Sequence, residues 1–217
     1  MSNSDTPITC ADIPVGKTVT VKVPASSANL GPGYDTLGLA LGFYDELRVE
    51  RISEGLEFEL SGEGSEAVPR DETHLVIQAM HAAFERVGLH EFPALRLTAH
   101  NRIPHSRGMG SSASAIVAGV AAASGLLPGH AQLSRDQILQ IASDLEGHPD
   151  NVAPSVYGSL SISWGELGDW RSLIVPVHSA VIPIVAVPDY EVSTKLARSL
   201  IPTEIPHEQA AANSGRA

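Results

Sequence analysis

The chain has 217 residues, 43% hydrophobic and 18% charged, with a formal net charge of −11, which is ordinary for a soluble globular protein of one large domain, or one domain and part of a second. The acidic balance argues against a nucleic-acid partner, which normally meets a basic patch, although a local anion site can oppose the global charge. The single Cys10 excludes an intrachain disulfide and points to a reducing, cytoplasmic setting; the start lacks a signal-peptide pattern, and no long apolar run predicts a membrane span.

Residues 19–23 alternate as a half-buried strand and run into Pro24, a stretch of small residues and Gly31-Pro32-Gly33. Residues 39–52 and 56–60 read as further strands, the latter closed by Gly62 and Gly64. Residues 71–87 predict a helix with Thr73 as its cap, an apolar stripe through Leu75, Ile77, Met80, Phe84 and Val87, and a stop at Gly88. A strand follows at 95–99, then a glycine-bearing loop at 104–110 and a helix of small residues at 111–127, ended by Pro128-Gly129. Ser134, with Gln137 at capping-box spacing, opens a helix running to about Glu146. Residues 157–164, 173–177 and 181–187 read as strands, and 193–200 as a short helix before Pro202 and a polar, Ala-rich tail. Early strands followed by mixed elements indicate an α+β fold, and no internal repeat is present.

The loop Pro104-His105-Ser106-Arg107-Gly108-Met109-Gly110-Ser111-Ser112-Ala113-Ser114 carries the most chemistry. A glycine loop opening straight into a helix offers unpartnered N–H groups and a positive dipole end to an anion. Gly108 and Gly110 would let phosphate approach the main chain, and Ser111 and Ser112 add hydroxyls for phosphate or Mg²⁺. A Walker A loop is excluded, since Gly16-Lys17-Thr18 has Ala11 where the first glycine belongs, and the dinucleotide fingerprint matches only in degenerate form. On these residues alone, a helix capped by Ser111 and packed through small side chains explains the stretch equally well.

Four motifs together resemble a known family. Pro104 to Ala113 is similar to the P-x-x-x-G-L-G-S-S-A nucleotide loop of the GHMP kinases, with Met109 in place of Leu. Pro24-Ala25-Ser26-Ser27-Ala28-Asn29-Leu30-Gly31-Pro32-Gly33-Tyr34-Asp35 resembles their first motif in its homoserine-kinase form, P-A-S/T-x-A-N-L-G-x-G-F/Y-D. Glu146-Gly147-His148-Pro149-Asp150-Asn151-Val152-Ala153-Pro154 and Ser193-Thr194 with Ala197-Arg198 are similar to later homoserine-kinase segments. The resemblance spans residues 24–198 in the family's order. It implies a GHMP-kinase N-terminal domain (ribosomal protein S5 domain 2-like, with a left-handed βαβ connection) over residues 1–178, and the start of a ferredoxin-like C-terminal domain over 179–217. Such kinases are longer; their second domain, with a late glycine-rich motif and a further arginine, is largely absent here, so a truncated chain is expected.

The resemblance further implies transfer of the ATP γ-phosphoryl group to the side-chain hydroxyl of L-homoserine, in threonine biosynthesis. ATP would lie on residues 104–114. Mg²⁺ would be held by Ser111 or Ser112 and by Asp144 or Glu146, Asp144 being ranked first. The amino-acid substrate would meet Asn29, Asp35, His148, Asp150, Thr194 and Arg198, the guanidinium clamping its carboxylate. Asn151, Asp150 and Arg198 form the implied catalytic set. An amide at Asn151 cannot take a proton, so Asp150, solvent or the phosphate itself receives it, and Asn151 is expected to orient. Two other readings stay open: a GHMP kinase for a mevalonate-like or sugar substrate, and a non-catalytic fragment that binds nucleotide or pairs with itself. The partners expected are L-homoserine and ATP, with a homodimer left open and neither nucleic acid nor membrane. His74 and His81 lie seven residues apart on one helix but lack a third ligand, so no transition-metal site is expected there.

Overall fold

A computed structural model describes residues 7–190 and 194–216, without the side chains of residues 194–196. Its spine is one long strand, β2 (Leu37–Arg51), flanked along its whole length by the antiparallel β1 (Thr18–Ala28). The other edge of β2 is shared: its second half pairs with β4 (Leu95–Asn101), and its first half with β5 (Leu160–Glu166). β3 (Leu56–Gly62) adds to β4 in parallel, joined to it through helix α1 (Leu75–Arg86), and β6 (Asp169–Val175) closes the other end of the sheet against β5.

Alternation along β2 and β4 sends Leu47, Val49, Leu95 and Leu97 to one face, where they are buried with the apolar stripe of α1. Helix α2 (Ser111–Leu126) runs through the middle of this core, and its small residues are a packing requirement. A Cβ on Gly119 would stand 2.6 Å from the Val76 carbonyl oxygen of α1, and one on Gly125 would stand 2.8 Å from Val19 of β1. Lys17 donates to the carbonyls of Leu126 and Leu127 at 2.7 and 3.0 Å, so its ammonium closes the C-terminal end of α2, where the dipole favours a cation. α3 (Arg135–Glu146) begins with the reciprocal Ser134–Gln137 capping box read from the sequence, and Gly147 ends it in the left-handed conformation.

Several expected boundaries are corrected. His74, not Thr73, caps α1: its Nδ1 accepts from the Val76 N–H at 3.2 Å, while Thr73 is tied to the Asp71 carboxylate. Residues 152–157 form a short helix, α4 (Val152–Tyr157), which takes Tyr157 out of the expected strand; Gly158 and Ser159, both at positive φ, turn the chain into β5. β6 starts four residues earlier than expected, at Asp169. Residues 181–187 form no strand, because no neighbouring ladder is present among the described residues; Ile182 and Ile184 are 79% and 95% exposed. The late helix is α5 (Thr194–Ser199), with Ser193 outside the described residues, and the tail contains α6 (His207–Ser214). None of the helices described is long and apolar enough to cross a membrane.

The His74 cap makes stability pH-dependent. Burial holds this imidazole below its usual pKa of 6.5, with Asp71 opposing weakly, and only the neutral ring can accept from Val76. A depressed histidine pKa stabilises fully above its unfolded value and loses that contribution as pH falls below about 6.5. His74→Ala is expected to lose about 1 kcal/mol at pH 7.5, the usual worth of a cap. His74→Asn, a cap that does not titrate, should flatten the urea midpoint between about pH 7.5 and 5.5; an unchanged acid slope would place the sensitivity elsewhere.

Candidate active site

The site begins at an irregularity in the β1–β2 ladder, beyond which the pairing resumes as Ser26 with Ala40. Pro24 has no N–H to give β2, and a register shift follows between Pro24 and Ser26. The Ser26 N–H turns instead to the Met109 carbonyl at 3.1 Å, tying β1 to the glycine loop. Within that loop Ser106, Gly108 and Gly110 all have positive φ. Gly110 is the N-cap of α2 at φ 68, and no side chain caps the helix, which corrects the Ser111 cap; the first helical N–H groups are left for an exogenous acceptor. A Cβ on Gly110 would also stand 2.2 Å from Ser26 Oγ and 2.8 Å from Asn151 Oδ1.

The segment between α3 and α4 supplies the opposite wall. Asp150 is fully buried; its Oδ1 lies 2.5 Å from His148 Nδ1 and accepts from the Asn151 N–H at 3.0 Å. Its Oδ2 is buried without a hydrogen-bond partner among the described residues. The Asp150 bond is the main reason the His148 imidazole is held above its ordinary pKa, favouring the charged ring. This loop can sit so close to β2 only because Gly38 has no side chain: a Cβ there would fall 1.8 Å from the Asp150 carbonyl oxygen.

Asn29 and Asp35 close a loop at the end of β1, both at positive φ, with Asn29 Oδ1 accepting from the Asp35 N–H at 2.9 Å. Asp35 then receives Arg198 of α5 in a two-pronged ion pair at 3.1 and 2.5 Å, and the guanidinium carbon lies 5.4 Å from the Tyr34 ring centroid. Arg198, expected to clamp the substrate carboxylate, thus meets Asp35 of the same expected set. Ligand atoms of Asp35, His148 and Asp150 lie within 4.8 Å of one another. Thr194 begins α5, but its side chain lies outside the described residues.

The two acids offered for Mg²⁺ are separated. Glu146 Oε2 accepts from Ser112 Oγ at 2.8 Å, and burial raises its pKa. Asp144, ranked first from the sequence, is exposed and spent elsewhere: it accepts from the Gly168 N–H and the Trp170 indole at 2.9 and 2.7 Å, fixing the β5–β6 turn. A hydroxyl and a carboxylate oxygen at the head of α2 suit a hard cation, so Glu146 with Ser112 is the pair that fits.

Two cavities meet at Ser106, Ser111 and Ser112. The polar one, about 480 Å³, is walled by Asn29, Gly108, Glu146, His148, Asn151 and Arg198. The other, about 290 Å³, lies between α1, α2 and β4; it was not foreseen from the sequence. His74, Asp45 and the buried Ser114 hydroxyl, which has no hydrogen-bond partner among the described residues, line it together with Val76, Ala115 and Ala118. His105 lines this second cavity too, and Arg107 faces the polar one while donating to the Pro188 carbonyl at 2.6 Å. Met109 is buried behind the loop with Ala25, Leu41 and Ile103; Pro104 and Ala113 border neither cavity, Ala113 being in the core.

Known proteins are similar to this chain in sequence and in fold. Residues 74–159 match the family model described as the GHMP kinases N terminal domain. A homoserine kinase of Leifsonia xyli subsp. xyli is 53% identical over 202 residues, covering 93% of this chain and 62% of that protein. One from Corynebacterium aurimucosum is 48% identical over 212 residues, covering 94% and 68%. A solved structure of a putative homoserine kinase from Listeria monocytogenes superposes with a TM-score of 0.71 at 30% identity, covering 92% of this chain and 65% of that one. The chain therefore spans about two thirds of the length of these relatives.

The crowding at Gly110 gives a direct test. Gly110→Ala places a Cβ both in the left-handed region, at a cost of about 1–2 kcal/mol, and against Ser26. We expect a modest loss in melting temperature and at least a roughly tenfold loss of nucleotide affinity by titration calorimetry. Undiminished affinity would remove the loop from the phosphate site.

Proposed function

The chain belongs to the homoserine kinases of the GHMP kinase family, and from that premise we propose that it transfers the γ-phosphoryl group of ATP to the side-chain hydroxyl of L-homoserine, giving O-phospho-L-homoserine and ADP. The observation that carries this reading is the Asp35–Arg198 pair standing beside an uncapped helix N-terminus. An amino-acid zwitterion can exchange into that pair, its carboxylate taking the guanidinium and its ammonium taking Asp35 with the buried Asp150 nearby. The charges on both sides are matched, so the exchange strands none of them.

ATP fits the joined cavities with its base in the half-apolar one, its phosphates across Ser111 and Ser112, and its γ-phosphoryl end in the polar one. Ser112 and Glu146 would hold Mg²⁺, which would supply charge neutralisation for the phosphoryl group in transfer. In the transfer, the homoserine oxygen bonds to the γ-phosphorus as the bond to the β-phosphate bridging oxygen breaks. The hydroxyl proton leaves with a phosphoryl oxygen or solvent, since a loose transition state asks little of a base and the amide of Asn151 cannot accept it. The same reading gives a threonine-biosynthetic, cytoplasmic role, and places a domain boundary near residue 178. That boundary is supported by the exposed apolar run after β6, which no described strand covers.

The assay is ADP release from the purified chain with ATP, Mg²⁺ and L-homoserine, with L-serine, L-threonine and mevalonate as comparisons. Homoserine-dependent turnover is expected. Equal rates on mevalonate, or nucleotide binding with no turnover on any of the four, would move the assignment to another GHMP substrate or to a fragment that only binds. Arg198→Ala should raise the homoserine KM by roughly 10- to 100-fold, the loss of a charged hydrogen-bond partner, with the ATP KM little changed. Glu146→Gln should raise the Mg²⁺ needed for half-maximal activity, whereas Asp144→Asn should leave it unaltered and only loosen the β5–β6 turn. The reverse result would return the metal to Asp144.

A further inference from the structure

Ser26 is fully buried and belongs to no catalytic set described so far, yet it touches the reacting end of the site. Its Oγ lies 2.8 Å from Asn151 Oδ1 and 3.3 Å from the Asn151 main-chain oxygen. A hydroxyl has one proton to give. The main-chain oxygen already accepts from Ser155 Oγ at 2.8 Å and from the Ser155 N–H at 3.4 Å. The Ser26 proton is therefore directed to Oδ1, the nearer acceptor and the one with no other donor among the described residues. With its oxygen engaged, the Asn151 amide can turn only its NH₂ toward the polar cavity that it lines.

We propose that Ser26 is a positioning residue that locks Asn151 with Oδ1 inward, so that the side chain enters the active site as a hydrogen-bond donor and not as an acceptor. This rests on the kinase reading and deepens it. A donor at this point can hold a γ-phosphoryl oxygen or the oxygen of the attacking hydroxyl, and both gain from a fixed N–H as charge spreads in the transition state. The lock is built from the backbone outward: Ser26 is held by its own N–H to Met109, Gly110 leaves the space in which the two side chains meet, and Ser155 satisfies the competing carbonyl.

The test uses the whole 217-residue chain, labelled with ¹⁵N, with the Asn151 side-chain amide identified by its loss in Asn151→Ala. In the wild type its NH₂ signals should shift when a non-hydrolysable ATP analogue and L-homoserine are added, and should show no short-range cross-peak to the Ser26 β-protons. In a folded Ser26→Ala chain the response should fall at least about twofold, and Ser26→Thr, which keeps the hydroxyl, should restore it. A strong cross-peak between the Asn151 NH₂ and the Ser26 β-protons, or an undiminished response in Ser26→Ala, overturns the proposal. Kinetically, Ser26→Ala should lower kcat about 10- to 100-fold with the homoserine KM within about twofold and no new ionisation in the pH–rate profile, and Ser26→Thr should recover kcat. An unchanged kcat in Ser26→Ala also overturns it. A wild-type chain with no homoserine-dependent turnover counts against the kinase reading alone, and the amide spectra then decide the orientation of Asn151.

Discussion

Three segments far apart in sequence meet in the space where a methyl group on Gly110 would stand. Ser26 arrives from the bulge in β1, Gly110 from the loop before α2, and Asn151 from the turn before α4. Each is held there by a local necessity. Pro24 has no N–H to give, the register shifts after it, and Ser26 then pairs with Ala40 while its N–H goes to the Met109 carbonyl of the loop. Gly110 takes the left-handed conformation that ends the loop and starts the helix without a side-chain cap. Gly38 leaves room for the Asp150 carbonyl, which seats the turn. The open N–H groups of α2 and the engaged oxygen of Asn151 both meet at this one contact.

Around it, charge is arranged against the average of the molecule. A chain of net charge −11 gathers Asp35, Glu146 and Asp150 at one site and sets His148, Arg198 and a helix N-terminus among them. The consequences differ by residue. Arg198 and Asp35 satisfy each other, His148 is drawn toward its charged form by Asp150, and Glu146 is left with a raised pKa that a cation would relieve. The acids of the site thus suit positive groups, and the N-terminus of α2 beside them suits negative ones.

The parts of this arrangement legible in the sequence were those fixed by local rules. The Ser134–Gln137 capping box, the apolar stripe of α1 and the glycine loop before a helix of small residues each follow from neighbours a few positions away. What escaped depended on distant partners. Nothing near Asp144 in sequence announces the Trp170 indole that occupies its carboxylate. The cap of α1 is a local exception: Asp71, two residues before Thr73, competes for its hydroxyl, and His74 takes over the capping. Residues 181–187 form a continuous run of β-branched and other apolar residues, but such a run becomes a strand only where a ladder and a face exist to receive it. The half-apolar cavity, too, is made by α1, α2 and β4 together, and no single stretch encodes it. Ser26 was visible only as one letter in a motif; its hydrogen bond to Asn151 crosses 125 positions.

An amide at position 151 is consistent with the charges that surround it. Asp150 is its immediate neighbour and is fully buried, and Glu146 faces the same cavity with a carboxyl that burial already discourages from ionising. A further carboxylate there would sit in low dielectric beside two others and opposite the phosphates of a bound nucleotide, and one of the three would have to take up a proton. An asparagine avoids that repulsion and, with its oxygen engaged by Ser26, presents hydrogen to groups rich in negative charge. On the proposed kinase reading, Asn151 serves as a fixed donor where charge develops and not as a base, which suits a transfer in which the incoming hydroxyl needs alignment more than deprotonation.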